Sequence, residues 1–387
     1  MTPEPVTPEP LTHTPLTGPT FGSYRADEVV WLLKDLSACR LEAPTHEREG
    51  PIQRGEAHYA ESLPVEYQPS DEYQQLFSEA LARSAAKVAY AVGLVTERVL
   101  QERGDRFVLA SLARAGTPIG ILMRRWAQVT HGLDPAHYTL SIVRGRGIDE
   151  VALSYLRDHH LSPDVVFVDG WTGKGAITRE LAASVRAAND KLGTAFSPEL
   201  AVLADPGECV RLYGTRDDYL IPSACLNSTV SGLVSRTVLN SDLIGPGDFH
   251  GAKFYAELAP ADVSAAFLDA VTREFAGVSA EVATAASGPV PQEPPRWTGW
   301  ASVERISAQY GIHDVNLVKP GVGETTRVLL RRVPWKVLVR PEALAPDGEL
   351  AHVLLLAHQR GVEVVPVPDL AFTCVGLIRP HVAPTAS

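Results

Sequence analysis

Val165-Val-Phe-Val-Asp169-Gly170-Trp171-Thr172-Gly173-Lys174-Gly175-Ala176-Ile177-Thr178-Arg179-Glu180 is the stretch that decides the fold. Four consecutive apolar residues without polar alternation suit a strand covered on both faces, as in a parallel sheet. Glycines at 170, 173 and 175 break that pattern, and a helical period resumes through Arg179–Ala188. Strand, Gly-rich loop and helix in succession make part of a βαβ unit, and open α/β sheets bind ligands at the carboxyl ends of their strands.

Working outward, the same alternation recurs. Residues 72–103 read as helix, Phe107–Ala113 as a buried strand, Arg114-Ala115-Gly116 as a turn and Ile119–Val129 as the next helix. Tyr138–Val143 is a further strand, Asp149–Asp158 a helix, and Leu200–Ala204 closes the set. The fold class predicted is α/β, a mostly parallel doubly wound sheet with right-handed crossovers. Residues 1–20 repeat Thr, Pro and Glu and are expected to be a disordered tail. Ala285–Pro295 carries four prolines and is expected to be a linker, which divides the chain into domains at 21–284 and 296–380.

The 387 residues are 45% apolar with a formal net charge of −11, which excludes general coating of nucleic acid or membrane but not a local basic surface. The four cysteines, Cys39, Cys209, Cys225 and Cys374, form no C-x-x-C pair, so no zinc ribbon or thioredoxin-type site is indicated. The Pro/Thr-rich start is unlike a signal peptide, and no apolar run is long enough to span a membrane. A cytoplasmic location is expected, with no membrane partner; the oligomeric state is not legible.

Gly170, Gly173 and Gly175 let a backbone approach a ligand closely, and the following helix directs its positive end at the same point. With the Thr172 hydroxyl, Lys174 and Ala176, this loop suits a phosphate monoester. Asp169 is placed to accept from ribose hydroxyls or to hold Mg²⁺. A P-loop is excluded, because G-x-x-x-x-G-K-[ST] needs two more residues and a hydroxyl after the lysine. A tight turn using glycine for geometry alone is the simpler alternative.

The segment resembles the diphosphoribose-binding loop of type I phosphoribosyltransferases, although Gly170 stands where that family has a second acid. Arg114-Ala115-Gly116 resembles the same family's pyrophosphate-binding turn, and Arg144-Gly145-Arg146-Gly147 is a third Gly-rich basic loop on that edge. The resemblance implies Mg²⁺-dependent transfer of phosphoribose from phosphoribosyl pyrophosphate to a base-like acceptor. Asp169 through Ala176 would then hold sugar and phosphate, and Arg114, Ala115 and Gly116 the diphosphate.

A thiol chemistry competes. Cys225 precedes a plausible helix in an Asn/Ser/Thr-rich run, and His250 lies on a Gly-flanked turn, so a Cys225/His250 dyad with Asp248 or Asn227 orienting is one reading. A packed structural thiol is the other.

In the last part of the chain, Pro320-Gly321-Val322-Gly323-Glu324-Thr325-Thr326-Arg327 resembles the signature of pelota/L7Ae-type RNA-binding domains, with Gly323 in place of a base-contacting Asn. The resemblance makes RNA a partner, contacted by Gly321, Gly323, Glu324, Thr326 and Arg327. Residues 296–380 carry ten basic and eight acidic side chains, near +2, and Arg327, Arg331 and Arg332 suit phosphate contacts.

The two-domain order, with His58-Tyr59-Ala-Glu61-Ser-Leu-Pro64 and Asp248-Phe-His250-Gly, resembles a bacterial family linked to tellurium-resistance and stress gene clusters. That family pairs a phosphoribosyltransferase-like domain with a pelota-type domain, and also circulates under the name cysteine protease StiP. Phosphoribosyl transfer is the main expectation. A Cys225/His250 peptidase and a non-catalytic nucleotide- or RNA-binding stress protein are the alternatives.

Overall fold

The computed structural model describes residues 14–44, 58–66, 68–345 and 349–379. Six strands build the central sheet: β1 (Val30–Trp31), β2 (Val108–Leu112), β3 (His137–Leu140), β4 (Val165–Trp171), β5 (Leu200–Ala204) and β6 (Leu212–Thr215). Their order is β1-β3-β2-β4-β5-β6, and all neighbours are parallel. Alternate residues of the uninterrupted apolar strands feed opposite cores. Val166 and Val168 face one side, and Val165 and Phe167 the other.

The first face is covered by α1 (Asp71–Arg103), α2 (Gly116–His131), α5 (Ser264–Arg273) and α6 (Phe275–Ala286), the second by α3 (Glu150–His159) and α4 (Ala176–Leu192). Local signals set the helix ends. Asp71 and Glu72 occupy the first turn of α1, Arg103 its last, and Gly104 closes it at φ 73°. Asp149 caps α3 by accepting from Val151 N and Ala152 N at 3.0 and 3.1 Å.

A smaller unit follows, with α7 (Thr298–Gln309), β7 (Val318–Pro320), α8 (Val322–Arg331), β8 (Pro334–Val339), α9 (Ala351–Gln359), β9 (Glu363–Pro366) and β10 (Cys374–Ile378). Its sheet runs β7-β10-β8-β9, antiparallel except for β8 with β9. Val322 and Leu329 of α8 share one buried apolar cluster with Val92, Leu220 and Ala224 of the first unit. The two units are therefore packed together over apolar surface.

Three sequence expectations differ in detail. Strand β4 does not stop at Val168; Asp169 pairs with Val202 and Trp171 with Ala204. Tyr138–Val143 is split, with Ile142–Val143 leaving the main sheet to pair antiparallel with Gly147–Ile148. Of the expected tail, residues 1–13 lie outside the described residues, while Leu16 exchanges backbone hydrogen bonds of 2.9 and 2.8 Å with Trp31. An apolar Leu beside an edge strand gains more from pairing than it loses in chain entropy.

Candidate functional site

The carboxyl ends of β2 and β4 open into a cleft walled by residues 221–236 and closed by β7 and α8 of the smaller unit. Its main cavity is about 820 Å³ and is bordered by Glu66, Arg114, Asn227, Arg236, Lys319 and Arg327. A chamber of about 210 Å³ continues from it past Arg114, Asn227 and Arg327 to Asp169 and Trp171. A third chamber, about 170 Å³, holds the loop from Gly173 to Thr178 against Lys319 and Pro320.

The turn expected to bind diphosphate sits where the sequence placed it. Gly116 is required there, because a Cβ would lie 2.3 Å from Val168 O. Ala115 packs against Gly170, whose Cβ position is 3.3 Å from Ala115 O, which accounts for the absence of a second acid. Arg114 reaches across to Val234 O at 3.4 Å, and burial lowers its pKa.

The Gly-rich loop is largely committed to its own protein. Thr172 donates to the buried Asp205 and its amide to Ala204 O at 3.0 Å, so its hydroxyl is spent. Lys174 Nζ donates to Val315 O at 2.7 Å and Asn316 Oδ1 at 3.1 Å. Gly175 turns at φ 73° beneath Trp297 and Cys209, and Gly173 O accepts from Cys209 Sγ at 3.5 Å. The carboxylate of Asp169 accepts its neighbour's Gly170 N–H at 2.7 Å, and burial raises its pKa to about 7. Burial, with Lys319 and Arg144 nearby, lowers Lys174 to about 7. A single carboxyl with that proton affinity suits Mg²⁺ poorly, and among the described residues no group of three or more His, Cys, Asp or Glu could hold a metal.

Cys225 and His250 have different surroundings. Cys225 ends the short 3₁₀ turn Pro222–Ala224 and is 1% exposed in the apolar core, while its neighbours Ser223, Leu226 and Asn227 line the 210 Å³ chamber. Arg327 Nε donates to Ala224 O at 3.0 Å, one residue away. His250 lies beyond the end of β3, its Nδ1 2.9 Å from Ser141 Oγ and its amide donating to Asp149 at 2.6 Å. Burial lowers its pKa while Asp149 opposes the shift. Asp248 pairs with Lys34.

The RNA-binding signature faces the first unit. Gly321, at φ 92°, sits above Asp218, and a Cβ on Gly323 would be 3.1 Å from Ala224 Cβ, so a larger residue there would press on Ala224. Thr326 is buried and donates to Val322 O at 2.8 Å, with His352 Nε2 at 3.1 Å. Glu324 and Arg327 form a 3.2 Å ion pair at the cleft, where the Arg327 guanidinium lies 5.1 Å from the Trp171 ring centroid. Arg332 borders the same cavity. Arg331 is the last residue of α8, and its side chain lies outside the described residues.

Sequence reasoning missed Asp218, Glu66 and Lys319. Asp218 accepts from Val322 N and Thr373 N at 2.8 Å each, bonds that span 104 and 155 residues. Glu66 accepts from Ser228 N and Oγ at 3.0 and 2.8 Å. Neither acid belongs to a local motif, so only the fold reveals them.

Residues 22–272 match the family described as tellurite-like stress resistance cysteine protease StiP, and residues 297–380 match the PELOTA RNA binding domain. The cysteine protease StiP of Acinetobacter baylyi (strain ATCC 33305 / BD413 / ADP1) is 33% identical over 354 residues, covering 89% of each chain. These matches overturn phosphoribosyl transfer as the expected activity, because family and relative alike are named for a cysteine protease. The resemblance that misled was confined to loop shape at strand ends, which many chemistries share.

Proposed function

The chain belongs to the StiP family, and from that membership we propose that it is a thiol-dependent peptidase with Cys225 as nucleophile and a C-terminal domain that captures RNA. The observation that supports the assignment is that Ser223, Leu226 and Asn227, close neighbours of Cys225 in sequence, line the 210 Å³ chamber, with Cys225 itself packed in the apolar core behind them. The other cysteines fit the role less well. Burial pushes the Cys209 thiol up to about 12 and raises Cys374 further inside its own sheet. Cys39 packs with Leu36 and Leu41 away from these chambers.

Arg114 and Arg327 line that chamber, whereas the His250 ring is engaged by Ser141. In this scheme the Cys225 sulfur, its proton lost to water, adds to a peptide carbonyl while Asn227 and Arg327 stabilise the oxyanion. The C–N bond then breaks with the amine taking a proton from water, and a second water hydrolyses the thioester to release the acid and restore the thiol. At 1% exposure Cys225 needs a local opening of residues 221–231 for substrate to reach it. The parallel sheet with its cleft at the strand ends supports a phosphoribosyltransferase-like scaffold that carries another chemistry.

Turnover of a fluorogenic peptide library by wild type and by Cys225→Ala tests the assignment. Cys225→Ala is expected to lose at least about 100-fold in kcat/KM while keeping the wild-type Tm, in line with loss of a nucleophile. Full activity in that variant would remove Cys225 from the reaction.

A further inference from the structure

We infer that the cleft between the two units is a binding site for single-stranded RNA, with phosphates held by cations from both. This rests on the reading of the C-terminal domain as an RNA-binding module and specifies where the strand lies.

Among the described residues the 820 Å³ cavity is bordered by five cations, Arg114 and Arg236 from the first unit and Lys319, Arg327 and Arg332 from the second. Two carboxylates among the described residues, Glu66 and Glu324, border it, and Glu324 is already paired with Arg327 at 3.2 Å. The adjoining 170 Å³ chamber adds Arg144 and Lys174 against Asp169. Such an excess stands out in a chain of net charge −11. Burial together with neighbouring cations lowers the proton affinity of Lys174 and of Lys319, the mark of a positive field that an anion would relieve.

A second, independent feature points into the same cavity. Thr229 is 1% exposed and borders it, yet its Oγ1 has no hydrogen-bond partner among the described residues. A buried hydroxyl left unsatisfied costs roughly 1–3 kcal/mol, and a phosphate or 2′-hydroxyl oxygen would satisfy it.

Shape and chemistry favour RNA over an acidic peptide. Tyr59 and Tyr73, both partly exposed, line the cavity, and aromatic faces beside a basic groove are how single strands are gripped without sequence choice. The signature edge of the smaller unit, Gly321 to Arg327, is docked on the first unit rather than facing solvent. A strand that reaches this edge must therefore pass through the cleft.

The test is fluorescence anisotropy with a fluorescein-labelled 12-nucleotide single-stranded RNA on the full chain, between 50 and 200 mM salt. Wild type is compared with Arg114→Gln and with the double variant Arg144→Gln/Lys174→Gln, each checked for native Tm. The double variant is expected to bind on the order of tenfold more weakly, with the salt slope reduced by about 1.4 for two lost phosphate contacts. A 4-thiouridine version of the RNA should cross-link to both units, including Tyr59 or Tyr73, an outcome that does not depend on any variant folding. Unchanged affinity in both variants, with cross-links confined to the smaller unit, overturns the cleft site while leaving RNA capture intact. Equal displacement by a poly-glutamate peptide of matching charge also overturns it. Absence of wild-type binding overturns RNA capture itself and the site with it.

Discussion

Asp169 shows how much a single residue gives up to stand at the end of β4. Its folded-state pKa of about 7 lies above the value of about 3.9 for an unfolded aspartate. The charged form is therefore the one that folding disfavours. Stability from this group is complete below about pH 3.9, declines as the pH rises, and is gone above about pH 7. Asp169→Asn keeps the oxygen that accepts from Gly170 N and cannot ionise. Urea unfolding is expected to find the variant more stable than wild type by on the order of 2–4 kcal/mol at pH 8 and nearly equal at pH 4. Parallel pH profiles for the two proteins would contradict this account.

At the scale of elements, α8 is the part that makes two units one. Its first turn is held by Asp218, a residue of the other unit, and its middle by Arg327 on Ala224 O and Trp171. Asp218→Ala removes the acceptor for Val322 N and Thr373 N, and the expected loss is about 2–4 kcal/mol of stability. Trypsin should then cut faster after the exposed Arg296, which precedes α7. Unchanged cleavage and stability would mean that apolar packing alone holds α8.

The element scale also shows why some features were legible in the sequence and others were not. Val165 to Val168 announced a buried parallel strand because no polar residue interrupts the run, and Leu200–Ala204 was bounded correctly for the same reason. The extension of β4 through Gly170 was hidden, because a glycine in a strand is locally identical to a glycine in a loop. What fixes it there is the Ala115 turn, fifty-odd positions earlier, which no local window contains. Gly323 was read as a lost RNA contact, and the structure gives its positive reason in the proximity of Ala224.

The whole molecule places three strand-end loops, a cysteine-bearing wall and an RNA-binding module around one basic cleft. That convergence could not be deduced from spacing, since it depends on the smaller unit folding back over the sheet edge. Composition gave the opposite impression, as a chain of net charge −11 hides its positive interior groove. Among the described residues no helix is long and apolar enough to cross a membrane. The most direct test of the thiol assignment is the order in which the four cysteines of the native chain react with iodoacetamide at pH 7, followed by mass spectrometry. Cys225 should be alkylated first, ahead of the partly exposed Cys39, with loss of peptidase activity tracking its modification. Alkylation of Cys39 alone, with Cys225 unreacted until the protein unfolds, would show Cys225 to be a packing residue and remove the proposed nucleophile.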